Sequence, residues 1–275
     1  MRKVVWYDDL LTKEKNMTIK HLSFSGLKLW KECAFKYKIS YVDKVAKFEG
    51  NAFTAFGTAM HTVCEKNLLQ EWNQEDSGNN FQTEFIQEMQ NLPEKTRQET
   101  DQELVEMMMD QGYSLAYEAI PALKEFFGEF EILSSEEELY EPVTNSDIKF
   151  KGFVDLVLKT KDGKIHILDW KTCGWGWDAR KKVDTMTNYQ LVLYKHFLSQ
   201  KHKYDPKNIE TYFGLLKRTA KKDKVEIFRV TSGPKKTFNA LNLLDDAIHF
   251  IKKEQFMKNK TACEFCDLHR TIHCP

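Results

Sequence analysis

Apolar and polar residues alternate along two neighbouring stretches in the middle of the chain. Residues 153–159 and 165–171 are rich in β-branched and apolar side chains, and Asp162-Gly163 between them is typical of a hairpin turn. The pattern therefore predicts a β-hairpin within 149–171. Two carboxylates and a lysine interrupt its apolar positions, where a buried strand would favour none.

Helical periodicity and two further strand patterns account for most of the remaining chain. Four helices are predicted: one capped by Ser23 or Ser25 with Cys33 inside it, one starting near Gly57 or Thr58, one over 188–200 and one over 238–258. Residues 71–130 are polar and helical in character, with a flexible loop expected at 75–80 and a Met-rich core patch at 107–109. Residues 131–143 predict a strand, and 209–230 predict a second hairpin.

This order of elements predicts an α/β fold. We expect a mixed central β-sheet flanked by helices, with a helical lobe and a C-terminal cysteine cluster. Residues 1–20 are expected to be an irregular lead, and 21–275 a single domain. Within that domain, 71–130 would be a helical insert and 259–275 a metal-cluster tail.

Composition narrows the classes of function. The 275 residues are 41% hydrophobic and 13% aromatic, which is enough for a large core. Lys+Arg and Asp+Glu both number 41, so a basic footprint over the whole molecule is excluded and any contact with nucleic acid must be local. The chain has neither the apolar core of a signal peptide nor an apolar run of about 18 residues, so we expect no membrane span and a cytoplasmic location.

The charged residues of the central hairpin are the first candidates for chemistry. Asp169 and Lys171 point to the same side of their strand, and folding the hairpin brings Asp155 within one residue of facing Asp169. A loop of odd length would set the two aspartates side by side. Close carboxylates repel unless a cation such as Mg²⁺ neutralises them, and Lys171 could then orient water or steady phosphate charge. The alternative is a hairpin with exposed charges.

Two clusters of basic residues are candidates for contacts with nucleic acid. In the predicted loop 172–187, Trp175 and Trp177 precede a basic run, which suits base stacking beside phosphate neutralisation. The tryptophans could equally pack down on the sheet. The two clusters contain Arg180, Lys181 and Lys182 after the tryptophans, and Lys217, Arg218, Lys221, Lys222 and Lys224 at the turn of the second hairpin. A basic turn is otherwise simply a solvated one.

Three of the six cysteines lie close together near the C-terminus and indicate a soft-metal site. Two residues separate Cys263 from Cys266, and seven more precede Cys274. Ligand type alone does not distinguish a tetrahedral zinc site, in which His269 or His273 could take part, from an iron–sulfur cluster. The two cysteines assigned instead to buried or half-buried packing are Cys64 and Cys173.

Several of these segments resemble motifs of the PD-(D/E)XK nuclease superfamily. The resemblance is to its RecB-like branch, which includes the CRISPR-associated and AddB-type iron–sulfur exonucleases, and it extends from Ser23 to Cys274. The segments that carry it are Gly152-Phe153-Val154-Asp155, Asp169-Trp170-Lys171, and Gln190 with Tyr194. The resemblance implies a restriction-endonuclease-like core, and it is weakest within 71–130.

The resemblance also implies which residues form the active site. Asp155 and Asp169 would bind Mg²⁺ or Mn²⁺, with Lys171 assisting catalysis. His61, in an element similar to the family's Gly-x-x-x-His, would be a further metal ligand, and so would the backbone carbonyl of Trp170. One of the three glutamates at 136–138, in a segment that resembles the first core strand, could add a contact, and nothing in the sequence selects among them.

The same resemblance bears on DNA and on the cysteines. By the resemblance, Gln190 and Tyr194 would lie beside the DNA. The residues proposed above from their own chemistry would join them there: Trp175, Trp177, Arg180, Lys181, Lys217 and Arg218. Cys33 would be the fourth ligand of a [4Fe–4S] cluster that joins the two ends of the chain, with Cys263, Cys266 and Cys274 as the others. The family usually has proline after the first cysteine, where this chain has Ala34.

The activity implied by the resemblance is metal-dependent hydrolysis of DNA. We expect an exonuclease that acts on single-stranded ends, serving recombination, repair or replication in a bacterial or phage-infected cell. Recombination or replication proteins are its expected partners. The alternatives are a structure-specific endonuclease and a non-catalytic DNA-binding protein that accompanies recombination.

Overall fold

The computed structural model describes residues 19–46 and 49–275, so most of the expected irregular lead lies outside the described residues. The first elements are β1 (His21–Ser23), α1 (Phe24–Glu32), α2 (Ala34–Tyr37), α3 (Ala52–Leu68), α4 (Ser77–Asn91), α5 (Glu94–Glu99), α6 (Gln102–Ala116), α7 (Ala119–Phe127) and β2 (Phe130–Pro142). The others are β3 (Lys149–Thr160), β4 (Ile165–Cys173), α8 (Ala179–Val183), α9 (Thr185–His202), β5 (Ile209–Lys217), β6 (Val225–Val230) and α10 (Pro234–Lys252). Shorter helical turns cover Lys38–Val42, Gln74–Asp76, Pro206–Asn208 and Lys260–Phe265.

The six strands form one mixed sheet, which confirms the predicted α/β fold. The strand order is β1-β3-β4-β5-β6, and β2 pairs antiparallel with β3. Strands β1 and β4 pair with different parts of β3. Strand β1 pairs with residues 149–151, and β4 pairs with residues 156–159. The intervening segment of β3 contains Asp155, so the sheet opens where the predicted site lies.

Helices cover the sheet and bury two cores. One core draws on α1, α9 and α10, through side chains such as Leu27, Phe197 and Leu244. The other draws on α3, α4, α6 and α7, with Phe56 and Phe81 among its buried residues. Within the part of the chain that the structure describes, no helix is both long enough and apolar enough to cross a bilayer.

Helix α3 begins five or six residues earlier than the sequence pattern indicated. Its first residue is Ala52, because Asn51 caps the helix: the Asn51 side chain accepts hydrogen bonds from the backbone N–H groups of Phe53 and Thr54, at 2.9 and 3.1 Å. The Thr54 hydroxyl in turn accepts from the Asn51 N–H at 2.8 Å. This reciprocal pair of bonds is a capping box, and it adds a turn at the N-terminus.

Three other expected elements were wrong in their limits or conformation. Cys33 is not inside a helix: α1 ends at Glu32, and Cys33 is extended between α1 and α2. The loop expected at 75–80 is helical, since α4 starts at Ser77, whose buried hydroxyl accepts a hydrogen bond from the Asn67 amide at 2.8 Å. The last helix runs from Pro234 to Lys252, so it starts and ends earlier than expected.

The Met-rich patch and the predicted loop 172–187 also differ from expectation. Met108 is fully buried, but Met107 is half exposed, so only part of the patch belongs to the core. The loop contains α8, whose first turn is capped by Asp178: its side chain accepts from the Lys181 N–H at 2.7 Å. The second hairpin is confirmed, as β5 and β6 pair antiparallel.

A glycine beside Trp170 provides a test of packing under the site. Trp170 pairs with Gly214 across β4 and β5, and a methyl group at Gly214 would lie 2.4 Å from two carbons of the indole. We expect Gly214→Ala to destabilise the protein by about 1–3 kcal/mol through overpacking, as measured by urea unfolding. The matched control is Gly174→Ala, whose added methyl would meet its nearest atom at 3.8 Å. Equal destabilisation by both variants would contradict this account.

Candidate active site

Three adjacent strands bring three carboxylates together. In the register of β2 with β3, Glu136 lies opposite Asp155. In the register of β3 with β4, Asp155 and Asp169 face each other one position beyond the last paired residues. The loop 160–164 between the last paired residues of this hairpin has five residues, the odd number that sets the two aspartates side by side. The predicted juxtaposition of Asp155 and Asp169 is therefore confirmed.

Helix α3 adds an imidazole to this group. The potential ligand atoms of His61, Glu136 and Asp155 all lie within 4.8 Å of one another, and His61 Nδ1 is 3.4 Å from Asp155 Oδ2. The backbone N–H of Trp170 donates a hydrogen bond to Asp155 Oδ2 at 2.7 Å. Two carboxylates and an imidazole at this spacing suit Mg²⁺ or Mn²⁺, so these residues fit a divalent cation.

The structure distinguishes among the three glutamates that the sequence could not separate. Glu137 is turned away from the group, and its carboxylate is held by Lys201 Nζ at 2.7 Å and His202 Nε2 at 2.6 Å. Glu138 pairs with Lys151 at 3.3 Å. Only Glu136 of the three faces Asp155, and its φ of 48° lies in the left-handed region that non-glycine residues rarely adopt.

Asp169 lies beside the three-residue group rather than within it. Its carboxylate is only 1% exposed, and Oδ1 accepts a hydrogen bond from Gln190 Nε2 at 2.8 Å. Its Oδ2 forms an ion pair with Lys171 Nζ. Gln190 therefore positions a carboxylate, a contact between a strand and a distant helix that sequence spacing did not reveal.

Tyr194 lies next to Gln190 on the same face of α9, as their spacing of four residues predicted. The Gln190 amide donates to the Tyr194 hydroxyl at 3.1 Å. The tyrosine ring is buried and occupies the space above Gly152, where an added methyl group would lie 2.7 Å from it. In this structure Tyr194 supports Gln190 and packs against β3.

Burial and crowding of negative charge shift the pKa values of the site. Burial and the nearby charge of Asp169 raise the pKa of Asp155 well above its usual range. Burial and the charge of Asp155 raise the pKa of Glu136 to about 7. Burial, helped by the charge of Lys171, lowers the pKa of His61 and favours the neutral imidazole that can bind a metal. A divalent cation would relieve the repulsion among these carboxylates.

Lys171 remains a cation despite its position. Burial alone would lower the pKa of Lys171, but the charges of Asp169 and Asp155 outweigh burial and raise it. The ammonium group therefore stays protonated at neutral pH next to the carboxylates. It supplies a fixed positive charge at the edge of the group.

The two tryptophans proposed for base stacking lie in different environments. Trp177 packs against Phe213 and Phe228, with ring centroids 5.0 and 6.1 Å apart, so it belongs to the core face. Trp175 is 78% exposed. Lys181 Nζ lies 5.6 Å from the Trp177 ring, on the exposed side of α8. Of the two aromatic side chains, Trp175 is the one available to a ligand.

Of the basic side chains proposed to contact nucleic acid, some are exposed and others form contacts within the protein. Arg180 and Lys181 are exposed on α8. Lys217 Nζ lies 3.8 Å from a carboxylate oxygen of Glu226. Arg218, half-buried, donates to the Gln111 side chain at 2.7 Å. The exposed part of the second cluster lies at Lys221 and Lys222.

The four cysteines proposed as cluster ligands converge on one place. Cys33, Cys263, Cys266 and Cys274 line the same cavity, between the α1–α2 junction and the C-terminal tail. The Asn259 N–H donates to Cys33 Sγ at 3.4 Å, and the Asn259 amide donates to the Glu32 carbonyl at 2.8 Å. Cys64 is buried and Cys173 half-buried, as expected for cysteines with packing roles.

A comparison with models of protein families shows the family to which the chain belongs. Residues 21–271 match the model of the PD-(D/E)XK nuclease superfamily. The chain belongs to the PD-(D/E)XK nuclease superfamily. Its predicted membership is thereby confirmed, and membership implies a hydrolytic nuclease with a nucleic-acid substrate. Nucleases of this superfamily use divalent metals, in agreement with the histidine and carboxylate group described above.

Solved structures provide a second comparison. A crystal structure from Eubacterium rectale, of a protein named as a candidate exonuclease, is 14% identical with a TM-score of 0.57. The alignment covers 100% of this PD-(D/E)XK chain and 96% of the other, and it shows a shared fold. The structure of SSO0001 is 18% identical over 60% of this chain and 74% of its own, with a TM-score of 0.34. No curated protein matches the sequence.

Proposed function

We propose that the chain is a Mg²⁺- or Mn²⁺-dependent deoxyribonuclease that degrades DNA from single-stranded ends. The observation that carries the proposal is the group of His61, Glu136 and Asp155, with ligand atoms within 4.8 Å of one another, beside the Asp169–Lys171 ion pair. Within a PD-(D/E)XK nuclease, this group and ion pair correspond to a metal site with a lysine next to it.

Each side chain of the site then has a chemical role. His61, Glu136 and Asp155 would hold the metal, and Asp169 and the Trp170 carbonyl would complete its environment. A bound divalent cation lowers the pKa of water and offsets phosphate charge. The Lys171 ammonium, kept protonated by its acidic neighbours, would steady the negative charge that develops on the phosphate. Gln190 would keep the Asp169 carboxylate in place.

Separate observations support exonuclease action and a preference for single strands. The motifs resemble the RecB-like branch, which contains exonucleases, and the Eubacterium rectale structure of similar fold carries an exonuclease name. Trp175, Arg180 and Lys181 offer an exposed ring and two exposed charges for a single strand. Recombination or replication proteins are the proposed partners.

We also propose that the four convergent cysteines bind a [4Fe–4S] cluster, with structural zinc as the alternative. The shared cavity of Cys33, Cys263, Cys266 and Cys274 supports a common metal site for both ends of the described chain. Thiolates suit either metal, so metal and sulfide analysis of anaerobically purified protein distinguishes the two.

The proposed activity is tested with end-labelled linear single-stranded DNA beside closed circular DNA, in Mn²⁺ and in EDTA. We expect metal-dependent loss of the linear substrate only, since an exonuclease requires an end. Cleavage of the circle would indicate an endonuclease instead. Metal-independent binding with no cleavage of either DNA would overturn the nuclease assignment and favour a DNA-binding role.

A further inference from the structure

A pocket opens at the end of β4, next to the candidate active site. Its cavity measures about 270 Å³. Thr172, which directly follows Lys171 in β4, forms one wall, and Phe53 and Arg218 form the rim. Phe56 and Met108 are fully buried and form an apolar floor. The cavity thus combines an apolar interior with one cationic group.

The rim of this pocket has the chemistry that binds a nucleobase. The ring of Phe53 is half exposed, and the Arg218 guanidinium lies over it, 5.0 Å from the ring centroid. Among the described residues, the Arg218 side chain has Gln111 as its one hydrogen-bond partner, at 2.7 Å, so four of its five N–H donors remain for a ligand. Aromatic rings and guanidinium planes are the groups on which unpaired bases stack.

The backbone holds this rim in place. The Arg218 N–H donates to the Cys173 carbonyl at 2.9 Å, and the Thr219 N–H donates to the Gly174 carbonyl at 3.1 Å. These bonds tie the basic turn after β5 to the end of β4. The backbone of Arg218 is therefore fixed beside the pocket, although the same turn contains the exposed Lys221 and Lys222.

The distance from the candidate metal site suits a single strand. Phe53 and His61 lie on the same helix, eight residues apart, which corresponds to about 12 Å at 1.5 Å per residue. A strand with its scissile phosphate at His61 would reach the pocket within a few nucleotides. In a duplex, pairing occupies the edges of the bases and stacking on the neighbouring pairs covers their faces, so only an unpaired base could enter.

We propose that this base pocket, formed by Phe53, Phe56, Met108, Thr172 and Arg218, binds one unpaired nucleobase of the substrate strand. The base stacks on Phe53, and Arg218 contacts the base or its adjacent phosphate. The proposal rests on the proposed function and deepens it, because the pocket selects single-stranded over double-stranded ends.

Binding measured in EDTA tests the pocket independently of cleavage. The probe is a fluorescein-labelled single-stranded DNA, and a second set of probes carries one abasic position at successive sites. We expect Phe53→Leu to weaken binding about 10-fold, in line with the stacking energy of one base, whereas Phe53→Tyr retains affinity. For the unaltered protein, one abasic position should weaken binding by the same factor. For Phe53→Leu, the same abasic position should cause no further loss of affinity.

The matched control is Phe238→Leu, since Phe238 is an exposed phenylalanine on α10. Its affinity should equal that of the unaltered protein. The pocket is refuted if Phe53→Leu binds as tightly as the unaltered protein, if no abasic position matters, or if the protein binds no single-stranded DNA. Base-dependent binding without metal-dependent cleavage would retain the pocket and overturn the nuclease, so the two proposals fail separately.

Discussion

Asp155→Asn should reduce DNA cleavage about 10³-fold or more and, in the same protein, raise the melting temperature of the metal-free form. Activity falls because an amide is a poor ligand for a hard cation and cannot balance its charge. Stability rises because the Asp155 carboxylate is largely, though not fully, buried and lies beside Asp169, which raises its pKa well above the usual range. The uncharged amide removes that repulsion, and its oxygen can still accept the Trp170 N–H bond.

Thermal unfolding in EDTA and in Mn²⁺, with cleavage assays in parallel, measures both effects. The unaltered protein should gain stability from Mn²⁺ by mass action, and Asp155→Asn should gain none. Asp246→Asn is the control, since Asp246 is an exposed aspartate on α10, and it should change neither property. Retained cleavage would contradict the assignment of Asp155 as a metal ligand, and a lower melting temperature of metal-free Asp155→Asn would contradict the account of charge repulsion with Asp169.

The hairpin and its two aspartates could be predicted because local rules determine them. Period-two alternation and the Asp162-Gly163 turn placed the hairpin, and the spacing brought Asp155 within one residue of facing Asp169. The last step depended on the length of the loop, which is odd in the structure. The helix cap at Asn51 follows from equally local chemistry. An asparagine three residues before a threonine is a capping pattern, and attention to it would have placed the start of α3 correctly.

The choice of Glu136 could not be predicted, because it depends on a strand irregularity. The pairing of β2 with β3 shifts by one residue between Ile132 and Ser134. A shift of one residue reverses which side chains face a given side of a sheet, so it decides which glutamate meets Asp155. The sequence 132–138 contains nothing that fixes such a bulge.

Contacts between distant segments were likewise beyond sequence patterns. Gln190 and Tyr194 were expected to share a helix face, and they do, but the bond from Gln190 to Asp169 depends on how α9 packs on the sheet. The same holds for Trp177, whose neighbours Phe213 and Phe228 come from β5 and β6. Periodicity assigns faces, and packing then determines the partners.

Cys33→Ser and Cys266→Ser should have the same effect, although 232 residues separate them in the chain. Each removes one of four ligands around a shared cavity, so each should abolish cluster binding. A structural metal contributes several kcal/mol of folding free energy. Loss of about 4 kcal/mol would lower the melting temperature by roughly 10 °C for a chain of this size.

The double variant makes this prediction specific. If both cysteines act through one cluster, the double variant should be no less stable than either single variant, because the second substitution removes a site already lost. Independent packing roles would instead give additive losses. Cys173→Ser is the control: Cys173 is half-buried at the end of β4 and should leave metal content unchanged.

Metal analysis completes the test and separates the two candidate metals. Iron and acid-labile sulfide in equal amounts, lost in both single variants, would support the [4Fe–4S] cluster, whereas zinc without sulfide would support the tetrahedral alternative. Anaerobically purified protein with neither metal would contradict both. In that case the tail would rest on contacts such as the ion pair of Lys36 with Asp267, at 2.7 Å, which as a partly exposed pair contributes only about 0–1 kcal/mol. So weak an attachment could not produce a loss of 10 °C, and the size of the loss therefore reports directly on whether metal joins Cys33 to the tail.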